Sequence, residues 1–311
     1  MAASKEHATV NRSRYFVLSA VGFLLAAFVV AGVRGPTRAA DNPPVGHKLA
    51  IKLAIQFAGT SAGQIRDDNS LKTKFVWCPP GNFTMGSPKG EKDRRDHESQ
   101  CPVTLMRGFW LGQCEVTQSE WRQVMQTTPW KRQENVKEGD TYAATFISWD
   151  DALKFCEKLT AVERRAGRLP ADWKFTLPTE AQWEYACRAG TTTRFSFGDD
   201  EARLGEYAWY RENTSRVGEK YAHVVGRRKP NPWGLYDMHA NVYEWCRDWY
   251  ADKLAGGSDP AGASEGSLRV DRGGGWEDAA KDSRSANRDR SPPDERNNDL
   301  GFRVAAVSAG K

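Results

Sequence analysis

The chain has 311 residues, 39% of them hydrophobic and 27% charged, which fits one large or two ordinary domains and argues against wholesale disorder. Five basic residues and one acid fall within the first 40 positions, which leaves 40 basic and 39 acidic residues downstream. A nearly neutral body lacks the basic surface of a nucleic-acid-binding protein, so that class is set aside. Twelve tryptophans and 28 glycines favour a loop-rich fold over a helical bundle.

The first 40 residues have the pattern of an export segment. Residues 15–33 carry no charge and follow Arg12 and Arg14. A stretch of this length can cross a bilayer, and basic residues before it favour an N-terminus on the inner side. The segment is either a signal peptide cleaved near Ala39, at a poor match to Ala-x-Ala, or an uncleaved membrane anchor. A buried core helix is disfavoured because the segment is terminal and flanked by charge. We therefore expect an exported protein of the periplasm or cell envelope.

Six cysteines follow the leader, at positions 78, 101, 114, 156, 187 and 246. An even number could form disulfides in an oxidising compartment, whereas the spacings contain no CxxC and do not indicate a zinc ribbon. Cys156 and Cys187 fall within amphipathic helical patterns, so these two are expected to be buried thiols. The connectivity of any disulfides stays open.

Residues 41–72 contain Pro43, Pro44 and a polar run, and are predicted to form a linker to one domain spanning residues 73–308. Three helices are predicted in this domain, because a Ser or Thr N-cap is followed by acids in the first turn. The capping sequences are Thr117-Gln118-Ser119-Glu120, Ser148-Trp149-Asp150-Asp151 and Thr179-Glu180-Ala181-Gln182. The second helix is expected to bury the stripe Ala152, Phe155, Cys156, Leu159 and Val162. Apolar segments between turn residues predict strands at 75–77, 108–112 and 301–305, so the fold class is α+β.

An ordered set of motifs runs from about Phe75 to Val307. The set comprises Phe83-Thr84-Met85-Gly86-Ser87, Glu115-Val116-Thr117, LPTEAQWEYA at 177–186, NPWGLYDM at 231–238, Asn241-Val242-Tyr243-Glu244-Trp245, Gly273-Gly274-Gly275-Trp276 and Gly301-Phe302-Arg303. Together these motifs resemble the sulfatase-modifying-factor family, whose founding member is the formylglycine-generating enzyme. The resemblance implies an α+β domain with a C-type-lectin-like core, low in regular secondary structure.

The resemblance also implies a reaction. The formylglycine-generating enzyme looks like a copper(I) oxidase whose two metal-binding cysteines lie downstream of the Gly-Gly-x-aromatic motif, and soft thiolates are what Cu(I) selects. The corresponding segment here, Gly275 to Ser283, contains no cysteine, and none occurs after Cys246. The five histidines form no HxH or HExxH pair. We therefore expect neither bound copper nor formylglycine generation.

A structural calcium ion is the cofactor that the resemblance implies. The family site uses the side chain at the fourth position of Gly-Leu-Tyr-x, two backbone carbonyls and the Glu before Trp. Carried over, these ligands are Asp237, the carbonyls of Ala240 and Val242, and Glu244. Hard oxygen ligands from a tight turn suit calcium. The family usually has glycine where Ala240 stands, and an Asp–Glu pair that hydrogen-bonds a turn is the alternative.

Four residues near the family's substrate groove are candidates for recognising an extended peptide or an acidic ligand. They are Trp276, Arg284, Arg288 and Arg303. Guanidinium groups suit this task because they present forked donors to carboxylates. In the alternative interpretation the arginines pair with Asp271, Asp282 or Asp289 and fix long loops, while Trp276 belongs to the core.

Three functions stay open at this point. The leading hypothesis is an exported binding or scaffolding module for an extended peptide or another envelope protein, because the fold signature is intact and the thiolate pair is absent. The second is a modifying oxidase of secreted peptides that works without the two cysteines, as in siderophore maturation. The third is sulfatase maturation with thiols relocated along the chain. Contact with a membrane is expected only through the N-terminal segment.

Overall fold

The computed structural model describes residues 57–308, so the predicted leader and the first part of the predicted linker lie outside the described residues. Four α-helices occur in this range: α1 (Gln118–Met125), α2 (Trp149–Arg165), α3 (Glu180–Arg188) and α4 (Leu204–Tyr207). The strands are β1 (Ile65–Arg66), β2 (Phe75–Cys78), β3 (Gly81–Met85), β4 (Cys101–Leu105), β5 (Phe109–Gly112), β6 (Trp173–Thr176), β7 (Tyr243–Trp249), β8 (Gly257–Ser258), β9 (Arg269–Arg272), β10 (Asp289–Ser291), β11 (Leu300–Gly301) and β12 (Ala305–Ser308).

These strands form three sheets joined by long irregular connections. The orders are β1-β2-β5-β12-β6, β10-β9-β7-β11 and β3-β4-β8. The largest apolar cluster collects side chains of β2, β5, α1 and α2, among them Trp110, Trp121 and Phe155. Among the described residues, no helix combines the length and the apolar character needed to cross a membrane. The predicted α+β class is confirmed.

The three predicted helices begin where their capping residues stand. Thr117 accepts from the backbone N–H of Glu120, whose carboxylate accepts from the backbone N–H of Thr117. Thr179 and Gln182 form the same reciprocal pair at α3, and the Ser148 hydroxyl caps α2. Each cap satisfies N–H groups that the helix cannot pair internally, which is worth about 1 kcal/mol.

The apolar stripe predicted for α2 ends one turn early. Val162 is 43% exposed, whereas its neighbour Glu163 is 1% exposed. The Glu163 carboxylate accepts from the Ser70 backbone N–H at 2.9 Å and from Arg168 Nε at 2.6 Å. These bonds compensate for burying the carboxylate, so the end of α2 turns Glu163 inward instead of Val162.

The predicted linker boundary at residue 72 differs from the structure. Residues 57–72 contribute to the domain, because β1 pairs antiparallel with β2 through Ile65↔Val76 and Arg66↔Phe75. Phe57 is 5% exposed, and its carbonyl accepts from Trp110 Nε1 at 2.8 Å. The polar composition that suggested a linker therefore belongs to an edge of the five-stranded sheet.

The strand predicted at residues 301–305 is split between two sheets. Leu300–Gly301 pairs parallel with β7, whereas Ala305–Ser308 lies antiparallel between β5 and β6. Arg303 stands between these strands with 0% exposure and binds Glu244. The chain crosses from one sheet to the other here, and the Arg303 side chain fills the crossing.

Candidate functional site

The turn predicted to bind calcium leads into β7 and has an unusual backbone. The φ angle is +55° at Asp237, +83° at Ala240 and +80° at Asn241. Such angles are uncommon for residues other than glycine, so neighbouring bonds must hold the turn. The Ala240 N–H donates to the Gly273 carbonyl at 2.8 Å, and the Asn241 side chain accepts from the His223 N–H at 2.8 Å. The turn thereby fixes Asp237 inside the domain, at 1% exposure.

Glu244, the predicted acidic ligand from β7, is bound to an arginine. Arg303 donates from Nε to Glu244 Oε2 at 2.6 Å and from Nη2 to Glu244 Oε1 at 2.5 Å, while Trp183 Nε1 donates to Oε2 at 2.7 Å. Both residues are 0% exposed. Burial acts to lower the pKa of Arg303, but the Glu244 carboxylate outweighs it and raises that pKa. Glu244 is therefore committed to an ion pair.

Asp237 lies beside a second buried acid, Glu115, which precedes the cap of α1. Asp237 Oδ2 accepts from the Gly226 N–H at 2.6 Å, and Glu115 Oε1 accepts from Asn241 Nδ2 at 3.1 Å. The other oxygen of each carboxyl, Asp237 Oδ1 and Glu115 Oε2, has no hydrogen-bond partner. Burial raises the pKa of Asp237 to about 6 and that of Glu115 well above its ordinary range.

Two adjacent buried carboxyls of this kind either share a proton or flank a cation. Asp237 thus fits the predicted calcium site, whereas Glu244 has both oxygens on Arg303, and Glu115 was missed by the sequence analysis. Within residues 57–308, no three His, Cys, Asp or Glu side chains converge as metal ligands. A calcium ion at this turn would accordingly depend on backbone carbonyls such as those predicted at Ala240 and Val242, and calcium stays a prediction.

The arginines predicted to line a groove form buried ion pairs with glutamates. Arg284 binds Glu98 at 2.6 Å and Glu91 at 2.7 Å. Arg288 binds the two oxygens of Glu180 at 2.5 and 2.9 Å. These glutamates come from the β3–β4 connection and from the first turn of α3. The pairs therefore tie the C-terminal loops to the N-terminal half of the domain.

The four candidate groove residues are accordingly inside the protein. Trp276, Arg284, Arg288 and Arg303 are 1%, 0%, 2% and 0% exposed. The alternative interpretation, in which these arginines form ion pairs, holds, but their partners are glutamates and not the predicted aspartates. Asp282, one of those aspartates, binds Arg95 at 2.5 Å. Arg288 also lines a cavity of about 180 Å³. Recognition of a ligand by the other three would require the domain to open.

The segment that follows Gly273-Gly274-Gly275-Trp276 carries carboxyl groups. Asp278 Oδ2 accepts from the Gly275 N–H at 2.9 Å, and a Cβ on Gly275 would lie 2.4 Å from Asp299 Oδ2. Burial, then the charge of Asp278, raises the pKa of Asp299 to about 7. Asp271 on neighbouring β9 is 2% exposed, and its Oδ2 has no hydrogen-bond partner. This region therefore presents hard, proton-binding oxygens.

All six cysteines are free thiols, so the alternative of disulfides is not realised in the structure. Cys78, Cys156, Cys187 and Cys246 are buried, which confirms the expectation for Cys156 and Cys187. Burial raises the pKa of every one of the six, that of Cys187 to about 12. Because the thiolate is the form that binds metals and attacks substrates, these groups are poorly suited to either role.

Two larger cavities lie next to the outer edge of the five-stranded sheet. One of about 520 Å³ is bounded by α2 and β6, and one of about 380 Å³ by the ends of β4, β12 and the start of α3. Arg247 of β7 lines both. We refer to the pair as the basic groove, after its lining cations Arg107, Arg164, Lys174 and Arg247. No spacing along the chain predicts the groove, because these residues come from four separate segments.

The three small sheets, the few short helices and the long connections define a C-type-lectin-like domain. Solved structures share this architecture. Treponema denticola variable protein 1 is 29% identical with a TM-score of 0.66, covering 78% of this chain and 98% of that one. PvdO from Pseudomonas aeruginosa is 26% identical with a TM-score of 0.69, covering 80% and 99%.

Residues 61–307 match the model of the sulfatase-modifying factor enzyme 1-like domain, and the chain belongs to that family. The formylglycine-generating enzyme of Streptomyces coelicolor is 27% identical, over 83% of this chain and 96% of the relative. The chaperone protein LppX of Paenibacillus barcinonensis is 27% identical, over 73% and 87%. The serine/threonine-protein kinase pkn1 of Chlamydia pneumoniae is 29% identical over 76% of this chain, but this chain spans only 38% of the kinase's length.

Proposed function

We propose that this chain is an exported binding module of the sulfatase-modifying-factor family that holds an extended segment of another protein without oxidising it. The proposal depends on one observation. Where the family's copper-binding cysteines would follow the Gly-Gly-x-aromatic motif, residues 275–283 of this chain contain no cysteine, and none occurs after Cys246.

The chemistry of that region supports binding over copper oxidation. Cu(I) is a soft ion that prefers thiolates, whereas carboxyl oxygens suit hard cations and protons. Asp299 is buried and Asp278 half-buried beside Gly275, and desolvation raises the pKa of each. Neither residue supplies the thiolate that Cu(I) prefers, and a proton competes with a metal ion for each of these oxygens.

The relatives also support a binding role over copper oxidation. The family contains a protein named as a formylglycine-generating enzyme and one named as a chaperone, each matched over most of its length. A single fold can host both roles, because function lies in the site that the fold carries. The cysteine-free segment of this chain favours the chaperone-like role, in which a partner is bound and released unchanged.

Calcium and the N-terminal leader complete the proposal. A calcium ion between the Asp237 turn and Glu115 would compensate the two carboxylates and stabilise the positive-φ backbone there. Residues 1–40 would direct the chain to the periplasm or cell envelope, either as a cleaved signal peptide or as an anchor. The bound segment would then belong to another exported protein.

The test measures binding and chemistry in one experiment. Purified full-length chain is incubated with a library of extended peptides that includes Cys-x-Pro-x-Arg sequences, with Cu(I) and calcium present. The mass of each peptide is then measured by mass spectrometry, and the fraction retained by the chain is recorded. The Streptomyces coelicolor formylglycine-generating enzyme, treated identically, is the positive control for modification.

We expect reversible retention of a subset of peptides, with every peptide mass unchanged. Formylglycine in the Cys-x-Pro-x-Arg peptides would contradict the proposal and restore sulfatase maturation. A mass change in other peptides would favour the modifying oxidase instead. Failure to retain any peptide would contradict the binding role.

A further inference from the structure

The basic groove has the dimensions of a ligand site. Its two cavities, of about 520 and 380 Å³, each fall in the range of pockets that hold small molecules or peptide side chains. They meet at Arg247, which lines both. The groove therefore follows the edge of the sheet from α2 past β6 to the start of α3, a path suited to an extended chain rather than to a compact molecule.

Positive charge dominates the lining of the groove. Four lining residues are cations and two, Glu157 and Asp259, are acids. The Asp259 carboxylate already has a hydrogen-bond partner, because its Oδ1 accepts from the Met106 N–H at 2.9 Å. A further cation lies alongside: the Arg269 guanidinium stacks 3.5 Å from the centre of the Trp149 ring, and Trp149 lines the larger cavity.

Arg247 is the lining cation best placed to bind a ligand. Its backbone is fixed, since its N–H donates to the Pro178 carbonyl at 2.8 Å and its carbonyl accepts from Arg269 Nη1 at 2.8 Å. Among residues 57–308 its half-buried guanidinium makes no hydrogen bond and no close ion pair, and its charge lowers the pKa of the neighbouring Asp248 against the effect of burial. A half-buried guanidinium whose N–H donors are unused, on a strand held by backbone bonds, can bind an incoming carboxylate with forked hydrogen bonds.

The groove binds through side chains, because the edge of β6 is closed to strand addition. Thr160 of α2 accepts from the Phe175 N–H at 2.9 Å and donates to the Cys156 carbonyl at 2.8 Å, with the Phe175 carbonyl 3.4 Å from the same hydroxyl. These bonds occupy the backbone groups that an added strand would use. The larger cavity instead offers the apolar surfaces of Trp149, Leu153 and Phe175.

We propose that the basic groove binds an extended acidic segment of a partner protein. An apolar side chain of that segment enters the larger cavity, and neighbouring carboxylates bind Arg247 and Lys174. In an extended chain alternate side chains point to opposite sides, so a sequence in which glutamates alternate with leucines presents both chemistries along one length. This inference deepens the proposed function and depends on it for the identity of the ligand as a protein segment.

Fluorescence anisotropy of labelled peptides tests the groove directly. The probe is a fluorescein-labelled peptide in which glutamate alternates with leucine, and the matched probe has glutamine in place of each glutamate. The chain variants are Arg247→Gln, the exposed Lys174→Gln, and Arg165→Gln as control. Arg165 is an exposed arginine of α2 that lines neither cavity, so its loss changes the net charge equally.

We expect the glutamate peptide to bind at least tenfold more tightly than the glutamine peptide. Arg247→Gln should weaken that binding about tenfold and Lys174→Gln severalfold, with Arg165→Gln near the parent value. Thermal unfolding of each variant establishes that it is folded; if Arg247→Gln is not, Lys174→Gln against Arg165→Gln decides the question. Equal binding of the two peptides, or equal weakening by Arg165→Gln, would overturn the proposal, as would displacement of the peptide by an equimolar amount of inorganic phosphate.

These outcomes separate the groove from the proposed function. If peptides are retained unmodified but Arg247→Gln binds them normally, the binding role stands and its site lies elsewhere. If the chain oxidises cysteine peptides and Arg247→Gln also weakens the acidic peptide, the groove stands as a docking site and the proposed function fails.

Discussion

Replacing Glu244 by glutamine should destabilise the domain strongly. Glu244 and Arg303 are both 0% exposed, and their carboxylate and guanidinium form two parallel bonds of 2.5 and 2.6 Å. Glutamine keeps the shape of the side chain but places an amide NH₂ where a guanidinium N–H now donates. Arg303 would keep its bonds to the carbonyls of Gly112 and Tyr236, both at 3.0 Å, but not its counter-charge.

The expected loss follows from leaving a buried charge uncompensated. Removing one partner of a buried pair costs about 3–5 kcal/mol, a large part of the roughly 5–15 kcal/mol by which a domain is stable. With a urea dependence of about 3 kcal/mol per molar for a domain of this size, the unfolding midpoint should fall by about 1–1.7 M. Equilibrium urea unfolding followed by tryptophan fluorescence measures the shift.

Two further variants test the reasoning behind this number. Glu134→Gln removes an exposed carboxylate and should change the unfolding free energy by less than about 0.5 kcal/mol. Arg303→Met should cost more alone than when combined with Glu244→Gln, because the single variant leaves a bare buried carboxylate. A Glu244→Gln domain within 0.5 kcal/mol of the parent would refute the claim that Glu244 compensates the buried charge of Arg303.

Three other predictions concern protons, calcium and thiols. Folding raises the pKa of Asp299 from 3.8 to about 7, so its stabilising contribution is complete below pH 3.8 and is lost as pH rises through about 7. Over this pH range the unfolding free energy of the parent should fall by up to about 4 kcal/mol, and Asp299→Asn should remove most of that fall. An unchanged pH profile in the variant would contradict the burial argument. Calcium at a hundredfold its Kd should stabilise the parent by about 2.7 kcal/mol in thermal unfolding and leave Asp237→Asn unaffected, whereas an equal response of the two would move the site elsewhere. A thiol reagent should label at most Cys101 and Cys114 in the native chain and all six cysteines after denaturation without reductant, and fewer than six would indicate a disulfide.

Local chemistry in the sequence was enough to place the helices and the fold class. A cap such as Thr179 acts through hydrogen bonds to residues three positions away, so its effect is visible in a short stretch of sequence. Ordered glycine- and tryptophan-rich motifs likewise identified the family. The predictions that failed are those in which a local sequence pattern competes with hydrogen-bond partners from distant parts of the chain. Val162 lost its buried place to Glu163, whose partner Ser70 is 93 residues away.

The site was harder to predict than the fold for the same reason. Arginines that looked suited to an open groove are paired with glutamates 59 or more residues away, as Arg288 is with Glu180 across 108 residues. Glu115 and the turn before β7 meet only in the folded domain, where Glu115 binds Asn241 across 126 residues. The basic groove collects cations from α2, β6 and β7, and no spacing along the chain announces it. The chemistry of each residue can be read from the sequence. Its protonation state, and whether an opposite charge lies beside it, depend on its neighbours in the fold.

The central claim is that this member of the family keeps the fold while lacking a copper centre. A titration of the full-length reduced chain with Cu(I), in competition with a chromophoric chelator of known affinity, tests it most directly. We expect the chelator to keep the metal, because every thiol has a raised pKa and no cysteine follows Cys246. Withdrawal of one equivalent of Cu(I) from the chelator, together with oxygen-dependent conversion of a cysteine peptide, would contradict the account.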